Sequence, residues 1–230
     1  MATRRASAEP FAGLREDPEP LDQAGIAGIV TAFGDAAERA VTAGFDVLEV
    51  HAAHGYLLHQ FLSPLSNHRD DQYGGSFDNR VRLLLEIVRQ VRSRVAVGVP
   101  VIVRVSATDW VEGGWSEDDT VRLAALLRDA GVDLIDTSTG GNVLADIPVG
   151  AGYQVPFARR IRTEAGLPTG AVGLITEPKQ AEEILAEGSA DVVLLARELL
   201  REPHWPLRAA YELGETDPAL WPVQYRRAAR

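Results

Sequence analysis

The sequence predicts an α/β fold of parallel βα units, of the (β/α) barrel kind, with about five units present. Three observations predict it. Segments with helical apolar spacing alternate with short apolar runs, and each helical segment stops at or near a glycine. Polar residues then gather where the apolar runs end: His51, Arg104, Ser138, Gly173 and Arg197. A doubly wound sheet collects its ligand groups at one switch point, whereas a barrel draws them from every strand.

The elements follow in order. Residues 1–21 read as a loop, because Arg4, Arg5, Glu9, Pro10, Gly13, Pro18 and Pro20 supply charge and breakers without an apolar period. Residues 22–230 read as one domain. From Asp22, the residues Ile26, Ile29, Val30, Phe33, Ala37, Ala40 and Val41 predict an amphipathic helix that ends at Gly44. Phe45 to Val50 reads as a buried strand. A helix over about Phe77–Val95 leads to the strand Val101–Val105, and one near Glu117–Ala130 leads to Leu134–Thr137. A helix near Val155–Ala165 leads to Thr169–Gly173, and one near Pro178–Ala186 leads to Val192–Leu195. A closed barrel of this type needs about eight strands and typically ~250 residues.

Composition narrows the function. With 230 residues, 46% of them hydrophobic, the chain can bury one core. A formal charge of −10 argues against nucleic acid or an anionic membrane surface as partner. The absence of cysteine excludes disulfides, thiolate catalysis and Cys-ligated zinc. No apolar run is long enough to span a bilayer, and the N-terminus lacks a hydrophobic signal core, so the expected location is cytoplasmic.

The densest chemistry lies at the end of the first apolar run, where three of the five histidines fall between His51 and His59. His51 and His54 straddle a strand-to-loop turn, and both could point Nε2 at one oxygen to stabilise developing negative charge. Tyr56 could supply a proton beside them. A zinc site is the rival, without a third ligand at useful spacing, and a pair of structural histidines is an equal alternative. Arg104, inside an apolar strand, must meet a counter-charge or a ligand; an internal ion pair to Glu49 would satisfy it. Gly173 and Arg197, after the last two strands, sit where barrels often hold phosphate. Trp110, Trp115, Trp205 and Trp221 read as packing or rim residues. The apolar tail from Trp221 reads as docking on the domain or on a neighbouring subunit.

Taken together, His51-Ala-Ala-His-Gly-Tyr-Leu, Phe61-Leu-Ser-Pro, Asn67-His-Arg, Tyr73-Gly-Gly, Arg104-Val-Ser, Ala171-Val-Gly and Arg197-Glu-Leu-Leu-Arg-Glu-Pro resemble the Old Yellow Enzyme family of FMN-dependent ene-reductases. The likeness is greatest to the bacterial NADPH dehydrogenase branch. The resemblance implies a TIM barrel with FMN at the carboxyl ends of its strands and NADPH or NADH as reductant. The substrate it implies is a small enone or enal. It also implies that His51 and His54 bind the substrate oxygen, that Tyr56 donates a proton to the α-carbon, and that Arg104 faces the flavin pyrimidine. Gly173, Ala196 and Arg197 would hold the FMN phosphate, with Ala196 standing where the family usually has glycine. Arg227 matches an arginine that reaches a neighbouring active site across a dimer, so a homo-oligomer formed through the C-terminal tail is expected. Arg4-Arg5-Ala6-Ser7 resembles the loop after the family's third strand, which implies an N-terminally truncated barrel. The alternative is a catalytically inactive truncated remnant that needs a partner chain or a missing N-terminal segment.

Overall fold

The computed structural model describes residues 4–7, 19–215 and 217–228. Of the expected opening loop, Glu9, Pro10, Gly13 and Pro18 lie outside these residues. Its described ends form a short parallel ladder, β1 (Arg4–Arg5) beside β2 (Glu19–Pro20). The Arg69 guanidinium fastens this ladder by donating to the carbonyls of Ala6 and Leu21 at 3.0 and 2.7 Å. That long-range clasp is why a breaker-rich segment takes up strand pairing.

Helix α1 (Gln23–Thr42) starts where the Asp22 carboxylate accepts the Gly25 N–H at 2.7 Å. Strand β3 covers Leu48–Ala52, not Phe45–Val50 as expected. Its ladder begins only where Leu48 meets Val101, so the residues before it have no strand to pair with, and Phe45 and Val47 stay exposed. A short helix that periodicity did not predict, α2 (Leu57–Leu62), follows. The next expected helix is interrupted at Val81 into α3 (Phe77–Arg80) and α4 (Arg82–Arg94).

Strand β4 (Val101–Ser106) leads to α5 (Glu117–Asp129), whose Ser116 and Asp119 form a reciprocal capping box. Strand β5 (Leu134–Ser138) leads to α6 (Val155–Ala165), closed by Gly166 in the left-handed conformation. Strand β6 (Thr169–Ala171) is shorter than expected, since Gly173 at φ +124° turns the chain away from an extended path. After α7 (Pro178–Ala186), strand β7 is only Val192–Val193, although the Leu194 N–H still donates to the Ala171 carbonyl at 2.9 Å. The chain ends in α8 (Arg197–Arg201), α9 (Trp205–Glu212) and two 3₁₀ turns, Pro218–Leu220 and Val223–Ala228.

Strands β3 to β7 form one parallel sheet in chain order, the arrangement of five successive βα units of a TIM barrel. Alternation sorts its two faces. Val101, Val103, Val105 and Ile135 are buried with Leu83, Leu84, Ile87, Leu123 and Leu127 from the helices. Burying each such leucine or isoleucine is worth about 1.5–3 kcal/mol. The alternate residues Glu49 and His51, Arg104 and Ser106, Asp136 and Ser138 occupy the opposite face. That concave face carries the chemistry. A second cluster, around Ala171, Ile175, Ile184 and Trp205, supports the β6–β7 end.

Candidate active site

This face sets two of the predicted residues, His51 and Arg104, side by side. Register places His51 beside Arg104 and Arg104 beside Asp136. The counter-charge of Arg104 is therefore chiefly Asp136, with Nε 3.2 Å from Oδ2, instead of the expected Glu49. The geometry is bent, and Arg104 Nε and Asp136 Oδ1 are buried without a hydrogen bond. Burial pushes the Asp136 carboxyl up to about 7, with Glu49 adding to the rise and Arg104 opposing it. Burial likewise raises Glu49, again opposed by Arg104.

At the end of β3 the backbone turns sharply. His54 has φ +58° and Gly55 φ +73°. A Cβ at position 55 would stand 2.3 Å from the Gly141 carbonyl oxygen, so only glycine lets the two loops approach. The His54 N–H donates to Ser106 Oγ at 3.0 Å, and Gln60 Nε2 donates to the Gly55 carbonyl at 2.6 Å. The Gly55 N–H donates to His59 Nδ1 at 3.0 Å, while His59 Nε2 lies 3.0 Å from Asp109 Oδ1. His59 thus belongs to the frame and not to the ligand face. Asp109 also accepts from Ser63 Oγ at 2.5 Å and from the Trp115 N–H at 2.8 Å.

This frame presents His51, His54 and Tyr56 together. The His51 ring centroid lies 5.1 Å from that of His54 and 5.3 Å from that of Tyr56. Burial, reinforced by the positive Arg104, lowers both histidines, His54 to about 4. Both imidazoles are therefore neutral near pH 7. The expectation that both Nε2 atoms face a ligand meets a competing partner at His54 alone. His54 Nε2 is taken by Ser138 Oγ at 2.7 Å, and His51 makes no hydrogen bond among the described residues. Tyr56 is 63% exposed.

Ser138 connects this cluster to a cavity of about 210 Å³, lined by Arg104, Gln154, Gly173, Ala196 and Arg197 among others. A Cβ on Gly173 would meet Gln154 Nε2 at 2.8 Å and Tyr153 Cε1 at 3.0 Å, so this wall of the cavity is backbone. Arg197 is exposed and makes no ion pair among the described residues, whereas Arg201 is held by Glu198 at 2.5 Å. The space is too small for a whole nucleotide cofactor and suits the phosphate end of one.

Arg227 is exposed in the last 3₁₀ turn and does not line this cavity. The apolar tail residues Val223 and Tyr225 are also exposed and do not dock on the domain. Among the tryptophans, Trp115 is buried and stacked on Phe77, Trp110 packs edge-on against Phe157, and Trp205 is buried. No three His, Asp or Glu side chains converge as a metal site needs, among the described residues. Sequence reasoning missed Asp136, Gln154 and Ser106. For Asp136 the signal was available, since a carboxylate inside Leu134-Ile135-Asp136 poses the same question as Arg104.

A family match decides the affiliation: residues 6–216 match the NADH:flavin oxidoreductase / NADH oxidase family. The chain belongs to that family. It is 53% identical over 224 residues to an NADPH dehydrogenase of Geobacillus thermodenitrificans (strain NG80-2), covering 97% of this chain and 65% of that protein. The chain thus spans just under two thirds of the relative's length. Among solved structures, a 2-naphthoyl-CoA reductase in complex with 2-naphthoyl-CoA superposes with TM-score 0.85 at 26% identity, over 91% of this chain and 33% of that one. An old yellow enzyme homologue from Zymomonas mobilis gives 0.77 at 27% identity, over 93% and 62%.

FMN is the cofactor this flavin oxidoreductase family implies, and the residues fit it. Arg104 Nε, 3.2 Å from Asp136 Oδ2, is buried without a hydrogen bond, Gly173 lines the cavity with backbone, and Arg197 is exposed and makes no ion pair among the described residues. Among the described residues no helix is long and apolar enough to cross a membrane.

Proposed function

We propose that this chain serves an FMN-dependent oxidoreductase that passes hydride from NADPH or NADH to the alkene of an α,β-unsaturated carbonyl compound. One observation carries the reading: two neutral imidazoles and a phenol, His51, His54 and Tyr56, stand beside the cavity that holds Arg104 and Arg197. FMN, when bound, supplies the hydride chemistry that no side chain can perform.

The chain's own residues supply the rest. His51 and His54 hold the carbonyl oxygen through N–H donors and stabilise the negative charge that develops there. Their neutrality means that they polarise the oxygen without surrendering a proton to it. Tyr56 delivers the proton to the α-carbon from its exposed phenol. Arg104, backed by Asp136, would set positive charge against the flavin, and Gly173, Ala196 and Arg197 would hold its phosphate. Arg227, exposed at the tail, serves a neighbouring protomer's substrate site in a homo-oligomer. The family affiliation and the NADPH dehydrogenase relative support this reading.

The test is direct. Titrating the full chain into FMN should quench flavin fluorescence near stoichiometrically, and a phenolic ligand should then perturb the bound-flavin absorbance. Replacing His51 and His54 together with alanine should abolish the phenol response and leave FMN binding within about threefold. Folded protein that fails to bind FMN, or that binds it with a phenol response indifferent to the double replacement, would overturn the proposal.

A further inference from the structure

We infer that His59 is a positioning residue for the Tyr56 phenol: its neutral ring, protonated on Nε2 alone, ties the Gly55 turn to Asp109 and so fixes where Tyr56 stands. This role rests on the proton-donor reading of Tyr56 proposed above and adds what holds that donor in place.

The placement of Tyr56 has to come from its backbone. Its side chain is 63% exposed, with the His51 ring as its aromatic neighbour at 5.3 Å between centroids. The residue just before it is held on both sides. The Gly55 N–H donates to His59 Nδ1 at 3.0 Å, and the Gly55 carbonyl accepts from Gln60 Nε2 at 2.6 Å. Gly55 sits at φ +73° against the Gly141 carbonyl, so the turn has no side chain there to anchor it. Its two peptide groups are the handles, and α2 grips both.

The tautomer of His59 follows from the donor it faces. A backbone N–H can only donate, so Nδ1 accepts and the single ring proton is on Nε2. Nε2 in turn lies 3.0 Å from Asp109 Oδ1, in the loop after β4. Asp109 Oδ2 is occupied by Ser63 Oγ at 2.5 Å and by the Trp115 N–H at 2.8 Å. His59 and Asp109 are both fully buried, which strengthens each contact and makes a broken one costly. A proton on Nδ1 would set two donors against each other at Gly55 and release the turn. The ring thus links the turn after β3 to the loop after β4.

The experiment uses the full chain labelled with ¹⁵N-histidine, first without cofactor, near pH 7.5. Two-bond ¹H–¹⁵N spectra, assigned with His59→Asn, should show His59 protonated on Nε2 and bare on Nδ1. A protonated Nδ1 in the wild type would overturn the inference without any variant. Two replacements then separate the limbs of the ring, since an Asn amide reaches the place of Nδ1 and a Gln amide that of Nε2. His59→Asn should keep the nuclear Overhauser contact between the Tyr56 and His51 rings, and His59→Gln should lose it. The contact retained in folded His59→Gln protein would also overturn the inference.

With FMN bound, His59→Gln should lower enone turnover about tenfold or more, since a misplacement of about 1 Å can cost on the order of 10²-fold. In a Tyr56→Phe background the same replacement should cost less than about twofold, because the donor it positions is gone. Equal costs in the two backgrounds would remove the role of His59 and leave the proposed function standing. Turnover indifferent to Tyr56→Phe alone would remove the donor role of Tyr56 and this role with it, a failure told apart because it appears with His59 intact.

Discussion

Arg104 and Asp136 face each other across neighbouring strands, with Arg104 Nε 3.2 Å from Asp136 Oδ2, on the concave side of the sheet. The pair does not neutralise its own cost of burial, for the carboxyl is pushed up to about 7 in spite of the guanidinium. A carboxyl whose folded value is raised contributes stability that is fully present below its unfolded value and lost as pH rises through the folded one. The window is therefore about pH 4 to 7, and the slope approaches ~1.4 kcal/mol per pH unit within it. Asp136→Asn should flatten that slope and be the more stable form at pH 8. Urea unfolding between pH 4 and 8 checks this; equal slopes for the two proteins would refute it.

Asp109 behaves in the opposite sense. Burial alone would raise its carboxyl, but contacts from His59 and Ser63 and the Trp115 N–H hold it below the usual carboxylate range. Its contribution is present above the unfolded value and lost as pH falls through the folded one. Asp109→Asn should cost about 2–3 kcal/mol at pH 7, because buried donors lose their ionised acceptor. The deficit should shrink below pH 4. Chemical denaturation at the two pH values measures both statements.

Gly173→Ala places a methyl at a backbone φ of +124° and within 2.8 Å of Gln154 Nε2. The strain should cost about 1–3 kcal/mol. It should also weaken FMN binding at least tenfold, read by flavin fluorescence. Unchanged affinity in a destabilised protein would remove Gly173 from the proposed phosphate cradle.

Tyr56→Phe removes a proton donor that is 63% exposed and contributes little to packing. Stability should change by less than about 0.5 kcal/mol. Turnover of an enone should fall by roughly 10²-fold or more, with phenolic-ligand affinity nearly unchanged. Steady-state rates beside ligand titrations distinguish this from a binding role.

Much of the fold was legible because helical period, glycine stops and apolar runs are local signals. They located α1, α5, α6 and α7 and the β4 and β5 strands to within a residue or two. Strand β3 was misplaced, since its limits depend on where Val101 begins to pair with it, and pairing is a property of two segments. The two-residue β1–β2 ladder and the interruption at Val81 likewise follow from contacts that no local pattern records.

The same division runs through the site. Legible from the residues alone were the family-bearing motifs, His51, His54 and Tyr56 at and just after a strand end, Arg104 within an apolar strand, and the α/β class. Those depend on residue type and spacing along one chain. Tertiary structure alone decided that Arg104 answers to Asp136 and not chiefly to Glu49, that His59 braces Gly55, and that His54 Nε2 is occupied by Ser138. Each of these is a contact between distant segments, fixed by strand register and by which face a side chain takes. A hydrogen bond depends on distances of a few tenths of an ångström, and only the packed sheet sets them.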